Sequence, residues 1–257
     1  MTLFDGQAVG TDELEWSRCE WLRSAPELAP PTGARLVVLA AHPDDEALGA
    51  GGLIGLADEA GLDIYVIFAS DGAASHPHSG THRPEQLAAI RKDEAAAAVL
   101  TLAPRATVEF LELPDGELAA HGPQLTAALR TACWEQTVVL APWAYDGHPD
   151  HEACARAARG VAAEREQVEL LEFPIWAWHW ASPADELATL DPEVVATRRL
   201  TLEAGQWRRK QAAIARYPSQ IAPLSPAAGD EAVLSPSSLA YFARGFECFF
   251  VIAPGGS

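Results

Sequence analysis

The run Leu36-Val37-Val38-Leu39-Ala40-Ala41 is unbroken by polar residues and rich in β-branched and aliphatic side chains. Such a run reads as a strand buried on both faces, as in a parallel sheet covered by helices. It ends directly in His42-Pro43-Asp44-Asp45-Glu46. That places one imidazole and three carboxylates at the carboxyl edge of a sheet, where open α/β sheets bind ligands. A divalent cation would account for so many titratable groups crowded together at such an edge.

The remaining chain repeats the alternation. Strand-like runs at Ile64–Phe68, Thr107–Leu111, Thr137–Ala141 and Val168–Phe173 are separated by helical stretches from Gly49 through Ala60, from Pro84, and over Gln124–Trp134. Right-handed βαβ units follow. The expected fold is α/β: a Rossmann-like, mostly parallel sheet with helices on both faces, in a single domain. Residues 11–24 read as one short helix with Thr11 as its N-cap, and Ala29-Pro30-Pro31-Thr32-Gly33 as a linker. Later come a helix around Trp207–Tyr217 and a strand at Phe246–Ile252. Gly49-Ala50-Gly51-Gly52 could form a phosphate-cradling turn. Without a lysine or the full dinucleotide fingerprint, it reads better as glycines that let helix and sheet approach closely.

Charge narrows the partners. A net charge of −18 argues against nucleic acid and anionic membranes, both of which need a basic face. No run approaches the ~18 apolar residues of a membrane span, and no secretion signal is visible. Cys19, Cys133, Cys154 and Cys248 are scattered and read as small core hydrophobes in a reducing compartment. A cytoplasmic protein acting on a small molecule is expected, and a homo-oligomer is compatible with the sequence.

The strand at Thr137–Ala141 delivers a second polar cluster, Tyr145-Asp146-Gly147-His148-Pro149-Asp150-His151. His42-x-x-Asp45 and His148-x-x-His151 supply the nitrogen and carboxylate ligands of a catalytic Zn²⁺, which takes three protein ligands and keeps a position open. His42, Asp45 and His151 complete such a set, although His148 competes with His151 for the third place, and Fe²⁺ also fits two histidines and a carboxylate. Zinc acidifies a bound water to about pH 7. Asp44 is left over as a general base. His148, oriented by Asp150, could in its protonated form stabilise an oxyanion or protonate a leaving amine.

Other features are less specific. Arg91 and Glu94 interrupt an apolar stripe of the helix after Pro84 and need partners, either a structural ion pair or, for Arg91, a polar substrate. His76, His78 and His82 lie in a loop that reads as solvated and beside the site, with a second metal as the alternative. Trp176, Trp178 and Trp180 would share one face of a strand, and core packing is favoured over sugar stacking. Tyr145, three residues before His148, is a candidate contributor to catalysis whose role the sequence leaves open.

The residues at 41–46 resemble the signature of the LmbE/PIG-L-like N-deacetylases, zinc hydrolases that remove acetyl groups from N-acetylglucosamine-type sugars and related amides. His148-Pro149-Asp150-His151 is similar to the family's second motif. The resemblance implies His42, Asp45 and His151 as metal ligands, Asp44 as base, and His148 on the transition-state side. It implies Arg91, in Arg91-x-x-Glu94, and Asp115, in Leu113-Pro114-Asp115-Gly116, as substrate-binding residues. Lys210-x-x-Ala213 through Ser219-Gln220 is similar to a further family segment. Tyr217 stands where many relatives have histidine, and Ser70-Asp71-Gly72 replaces Thr-Asp-Gly. The family-like region is thus 34–221, with 1–33 an N-terminal extension and 222–257 a C-terminal segment. The expected activity is Zn²⁺-dependent removal of an N-acetyl or related N-acyl group from an amino sugar or its conjugate. The alternatives are an amidase of a larger amide, such as a thiol conjugate, and a non-catalytic nucleotide- or sugar-binding module.

Overall fold

The computed structural model describes residues 9–134 and 136–253. Two short helices, α1 (Glu13–Trp16) and α2 (Glu20–Ser24), lead to β1 (Arg35–Ala40). There follow α3 (Asp45–Glu59), β2 (Asp63–Ser70), α4 (Pro84–Leu102), β3 (Thr107–Leu113), α5 (Gly122–Ala132), β4 (Thr137–Pro142), α6 (Pro149–Glu164) and β5 (Val168–Phe173). The remainder comprises α7 (Ala177–Trp180), β6 (Val194–Thr201), α8 (Ala204–Ile214), α9 (Pro218–Ile221), α10 (Pro236–Phe242) and β7 (Phe246–Ile252).

The seven strands among the described residues form one sheet in the order β3-β2-β1-β4-β5-β7-β6. The first five are parallel, and β7 runs antiparallel to both of its neighbours. The fold is therefore a single-domain α/β architecture, as the alternation predicts. β1 and β4 are buried along their whole length, as central strands must be when α3, α4 and α8 pack together on one side and α5 with α6 on the other. Prolines at the first turns of α4 and α6 cost no hydrogen bond, because those N–H groups lack intrahelical partners anyway.

The chain order reverses direction across the sheet between β1 and β4, which pair in parallel with Val38 beside Leu140. That switch point opens a crevice at the carboxyl ends of two adjacent strands. The polar clusters that follow β1 and β4 are thereby delivered to one place.

Several expectations are corrected. The stretch 11–24 is two helices, and Asp12, not Thr11, caps the first by accepting from the Leu14 N–H at 2.8 Å. Gly49–Gly52 lie inside α3 and form no turn, so a nucleotide-cradling loop there is excluded. Their smallness serves packing: a Cβ on Gly49 would sit 2.1 Å from the Phe173 ring, and one on Gly52 would sit 2.4 Å from Leu202. Trp176, Trp178 and Trp180 do not share a strand face, because 177–180 is helical. Trp178 packs edge-on against Trp16 with centroids 5.0 Å apart, while Trp180 donates its indole N–H to the Asp146 carbonyl at 2.8 Å. The edge strand β6 is an element beyond those the sequence pattern predicts. All four cysteines are free and buried, as expected of core residues. Among the described residues no helix is long and apolar enough to cross a membrane.

Candidate metal centre

Each residue of the first motif has a local reason to be there. Asp44 adopts φ 125°, a positive-φ conformation that L side chains rarely adopt and that persists where surrounding contacts hold it. The turn is secured by side chains: Asp45 Oδ2 accepts the His42 N–H at 2.9 Å, and Glu46 accepts the Asp44 N–H at 3.2 Å. Glu46 is fully buried, and the Tyr217 hydroxyl donates to it at 2.5 Å. Burial lifts its carboxyl to about 8 despite that hydrogen bond, and its two oxygens, accepting from Tyr217 and from the Asp44 N–H, brace the turn. Tyr217 thus has a defined partner where relatives carry histidine. Ser70 retains the hydroxyl of the usual threonine, donating to the Ala41 carbonyl at 2.9 Å and accepting the Gly72 N–H.

The second motif is a helix start. His148 is the N-cap of α6, and its Nδ1 accepts the Asp150 N–H at 3.2 Å. That bond leaves Nε2 as the protonated nitrogen of a neutral ring. Pro149 then occupies the first turn, and Asp150 and His151 face inward, both fully buried.

His42, Asp45 and His151 converge, with one ligand atom from each lying within 4.8 Å of the others. His151 Nε2 is 3.4 Å from Asp45 Oδ1, and the rings of His42 and His151 are 5.4 Å apart. Tetrahedral zinc with bonds of about 2.1 Å holds its ligands roughly 3.4 Å apart. His151 Nε2 is buried with no hydrogen-bond partner, while Nδ1 donates to Asp146 Oδ2 at 2.7 Å. A histidine whose far nitrogen is bound to a carboxylate presents a lone pair at the other, the arrangement found in metal sites. Those residues therefore fit a Zn²⁺ ion. His42, His148 and Asp150 make a second grouping within the same distance, but His148 Nδ1 is already committed to the helix cap.

Asp146 has no counterpart in the sequence reading. It is fully buried and accepts from the N–H groups of Ile175, Trp176 and Ala177 at 2.8–2.9 Å, besides His151. Only its position five residues before His151 could have signalled it.

Asp150 and Asp115 both reach His42. Asp150 meets His148 through its backbone, and its carboxylate accepts from Gly116 and Leu118 N–H and lies 3.2 Å from His42 Nε2. Asp115 Oδ1 is 3.1 Å from the same nitrogen. Burial opposes a charge on His42, but Asp115, Asp150 and Asp45 outweigh it and raise the imidazole to about 10. Burial also opposes charge on His151, and Asp45 and Asp146 overcome it upward. An environment this rich in carboxylates attracts positive charge at both rings. His148 differs: burial, with His151 and His42 beside it, drops it to about 2. That lowering and the Asp150 N–H accepted at Nδ1 both favour the neutral ring, with Nε2–H as a donor, over the protonated form.

Burial lifts the Asp44 carboxyl to about 7 against the pull of Arg91. Arg91 Nη2 stands 3.4 Å from Asp44, and the guanidinium donates to the carbonyls of Gly72 and Pro43. Glu94 is occupied elsewhere, accepting from Ser219 N–H and Oγ at 2.9 and 2.6 Å, so the two charges on α4 are not partners. Lys210 is buried against Glu247 at 2.8 Å, and Glu247 also takes the N–H groups of Gly52 and Leu53 in α3. His76, His78 and His82 form no metal group among the described residues. Tyr145 lies on the surface against Trp143.

A cavity of about 420 Å³ opens onto this centre. His42, Asp44, Asp45, Arg91, Asp115 and His148 line its polar side. The fold and site together define an α/β domain with a metal-type centre at its topological switch point.

Residues 37–162, which hold both motifs, match the family model described as PIG-L, GlcNAc-PI de-N-acetylase. The resemblance carried by the motifs is thus borne out over that span. The N,N'-diacetylchitobiose deacetylase of Pyrococcus horikoshii is similar in structure, with TM-score 0.64 and 18% identity over 97% of this chain and 95% of its own. The zinc-inhibited form of teicoplanin deacetylase Orf2 is similar at TM-score 0.62 and 19% identity, over 85% of this chain and 98% of its own. GalB, the 4-carboxy-2-hydroxymuconate hydratase of Pseudomonas putida KT2440, is similar at TM-score 0.55 and 19% identity, over 85% and 95%. At these identities the likeness is one of fold, and a shared fold carries more than one reaction. No curated protein matches the chain.

Proposed function

We propose that this protein is a zinc-dependent N-deacetylase that removes an N-acetyl or related N-acyl group from an amino sugar or its conjugate. The observation that carries the reading is the buried His151 Nε2, unpartnered and facing Asp45 while Asp146 holds the opposite nitrogen. His42, Asp45 and His151 would hold the metal. Zn²⁺ bound there supplies Lewis-acid polarisation of a carbonyl and lowers the pKa of a coordinated water.

The chain's own groups do the rest. Asp44, with a carboxyl poised near neutrality, takes the proton of the attacking water and can return it to the departing amine. His148 offers Nε2–H as a neutral donor to the oxygen on which negative charge develops. Arg91 fixes the Asp44 carboxylate, and with Asp115 it lines the cavity where the sugar would lie. Asp115 and Asp150 hold the His42 ring through Nε2. Four buried thiols, none paired, suit a reducing compartment such as the cytoplasm.

The test is acetate release from a panel of N-acetylated sugars and larger amides by the zinc-loaded protein, alongside metal analysis. Release should vanish on chelation and return with added Zn²⁺. Turnover that survives full removal of metal would sink this assignment, and turnover confined to large non-sugar amides would favour the amidase.

A further inference from the structure

The segment after residue 221, which carries no motif, supplies the rim of the cavity. Residues 222–235 lie against residues 71–83, and one buried carboxylate joins them. Asp230 accepts from Ser79 Oγ at 2.5 Å, from Thr81 Oγ1 at 2.5 Å and from Ser225 Oγ. Nearby, His76 Nε2 donates to the Glu231 carbonyl at 3.1 Å. Gly229, at φ 88°, passes so close that a Cβ there would stand 2.2 Å from the His78 carbonyl oxygen. Leu234 is anchored in turn by its N–H to the Gln220 carbonyl at 2.9 Å.

That clasp brings Pro77 from one loop and Val233 and Leu234 from the other to the cavity wall shared with Ile175 and Trp176. These five side chains are apolar, and the same cavity is lined by His42, Asp44, Asp45 and Asp115. Arg91 is the only lysine or arginine among the described residues lining the cavity, and its guanidinium is already bonded to Pro43, Gly72 and Asp44. Pro77, Val233, Leu234, Ile175 and Trp176 include no lysine, arginine or histidine, so an anionic substituent seated against them would meet no cation there. An apolar one would bury surface against five apolar side chains.

We propose that this rim is a binding subsite for the group attached to the amino sugar, that it takes an uncharged apolar substituent such as an aryl or alkyl aglycone, and that Asp230 is the positioning residue holding the two loops around it. The proposal rests on the deacetylase reading for the centre it borders. The three hydroxyls converge on Asp230 without touching the reacting groups, so its influence passes through the wall it shapes.

The experiment compares kcat/KM for acetate release from N-acetylglucosamine, its phenyl β-glycoside and its 1-phosphate, using the full-length zinc-loaded protein. The glycoside is expected to exceed the free sugar about tenfold, chiefly through KM, and the phosphate to fall below it. Asp230→Ala and, independently, Val233→Asp should bring the glycoside-to-sugar ratio down to about one. Asp230→Asn, which keeps one acceptor oxygen, should retain part of it. Since the ratio is the readout, a general loss of folded enzyme does not move it. Calorimetric binding of the amine product, phenyl β-glucosaminide, against glucosamine gives a second arm free of turnover. If no substrate releases acetate but the product shows this preference and Asp230→Ala abolishes it, the subsite stands and the deacetylase reading falls. A phosphate preferred over the glycoside, no preference for the glycoside, or a preference unchanged in both variants would overturn the proposal.

Discussion

The two halves of the centre are built in different ways. The half that follows β1 fixes its backbone turn from within, since Asp45 and Glu46 bond back to the N–H groups of His42 and Asp44, while Tyr217, Arg91, Asp115 and Asp150 reach its side chains and the Pro43 carbonyl from outside. The half that follows β4 is held from outside, since Asp146 draws three N–H groups from residues 175–177 and then orients His151. A turn braced by its own side chains keeps its shape when its surroundings shift. A histidine aimed by a carboxylate that depends on another loop does not, so damage to the two halves should be felt differently.

The largest effect should come from chemistry without architecture. Asp44→Asn in the first half is expected to cut kcat about 10²–10⁴-fold while zinc content, measured by elemental analysis, stays at the wild-type level. The second half should show the reverse. Asp146→Asn is expected to lower zinc affinity about 10–100-fold in a chelator competition, with the loss of activity recovered at high zinc. If Asp146→Asn retains wild-type affinity, the contrast between the halves collapses. A smaller effect tests the support behind them: Gly49→Ala forces a methyl group into the Phe173 ring and should cost about 1–3 kcal/mol of stability in denaturant titration, without changing the activity of the folded fraction per bound zinc.

The smallest effect is a control lying outside both halves. Burial pushes His76 below its ordinary 6.5, so the native state binds fewer protons than the unfolded chain. Its contribution is full above about pH 6.5 and is lost as pH falls toward the lowered value. His76→Gln should therefore flatten the decline of the thermal midpoint between pH 7 and 5. An unchanged slope would mean that His76 takes no part in it.

The same contrast decides what could be read from sequence. His42, Asp45 and His151 were legible because each follows a buried strand, and adjacent parallel strands deliver their ends to one crevice. Asp146 was not, since its partners lie some thirty residues away and no short spacing encodes them. Asp115 and Asp150 were recognised as polar site residues, but their shared target, His42 Nε2, exists only once the loops after β3 and β4 meet. Elsewhere, local pattern misled. Alternating tryptophans at 176, 178 and 180 mimic a strand, yet 177–180 turns as a helix, the N–H groups of residues 175–177 leading into it bond Asp146, and Trp178 packs against Trp16. The run Val194–Thr201 carries two arginines and does not read as a strand from pattern alone, because an edge strand tolerates charge that a central strand cannot. Glycines at 49–52 were read as a close approach, and Phe173 and Leu202 supply the neighbours.

The placement of β7 has a consequence for biogenesis. β5 and β6 are joined only through β7, so a ribosome that has finished β5 leaves its outer edge bare while roughly eighty further residues are added. At 5–20 residues per second that edge waits for several seconds, offering unpaired N–H and C=O groups to any passing strand. Truncation before residue 246 would make that exposure permanent, and such a product should aggregate even though both halves of the metal centre had already been synthesised.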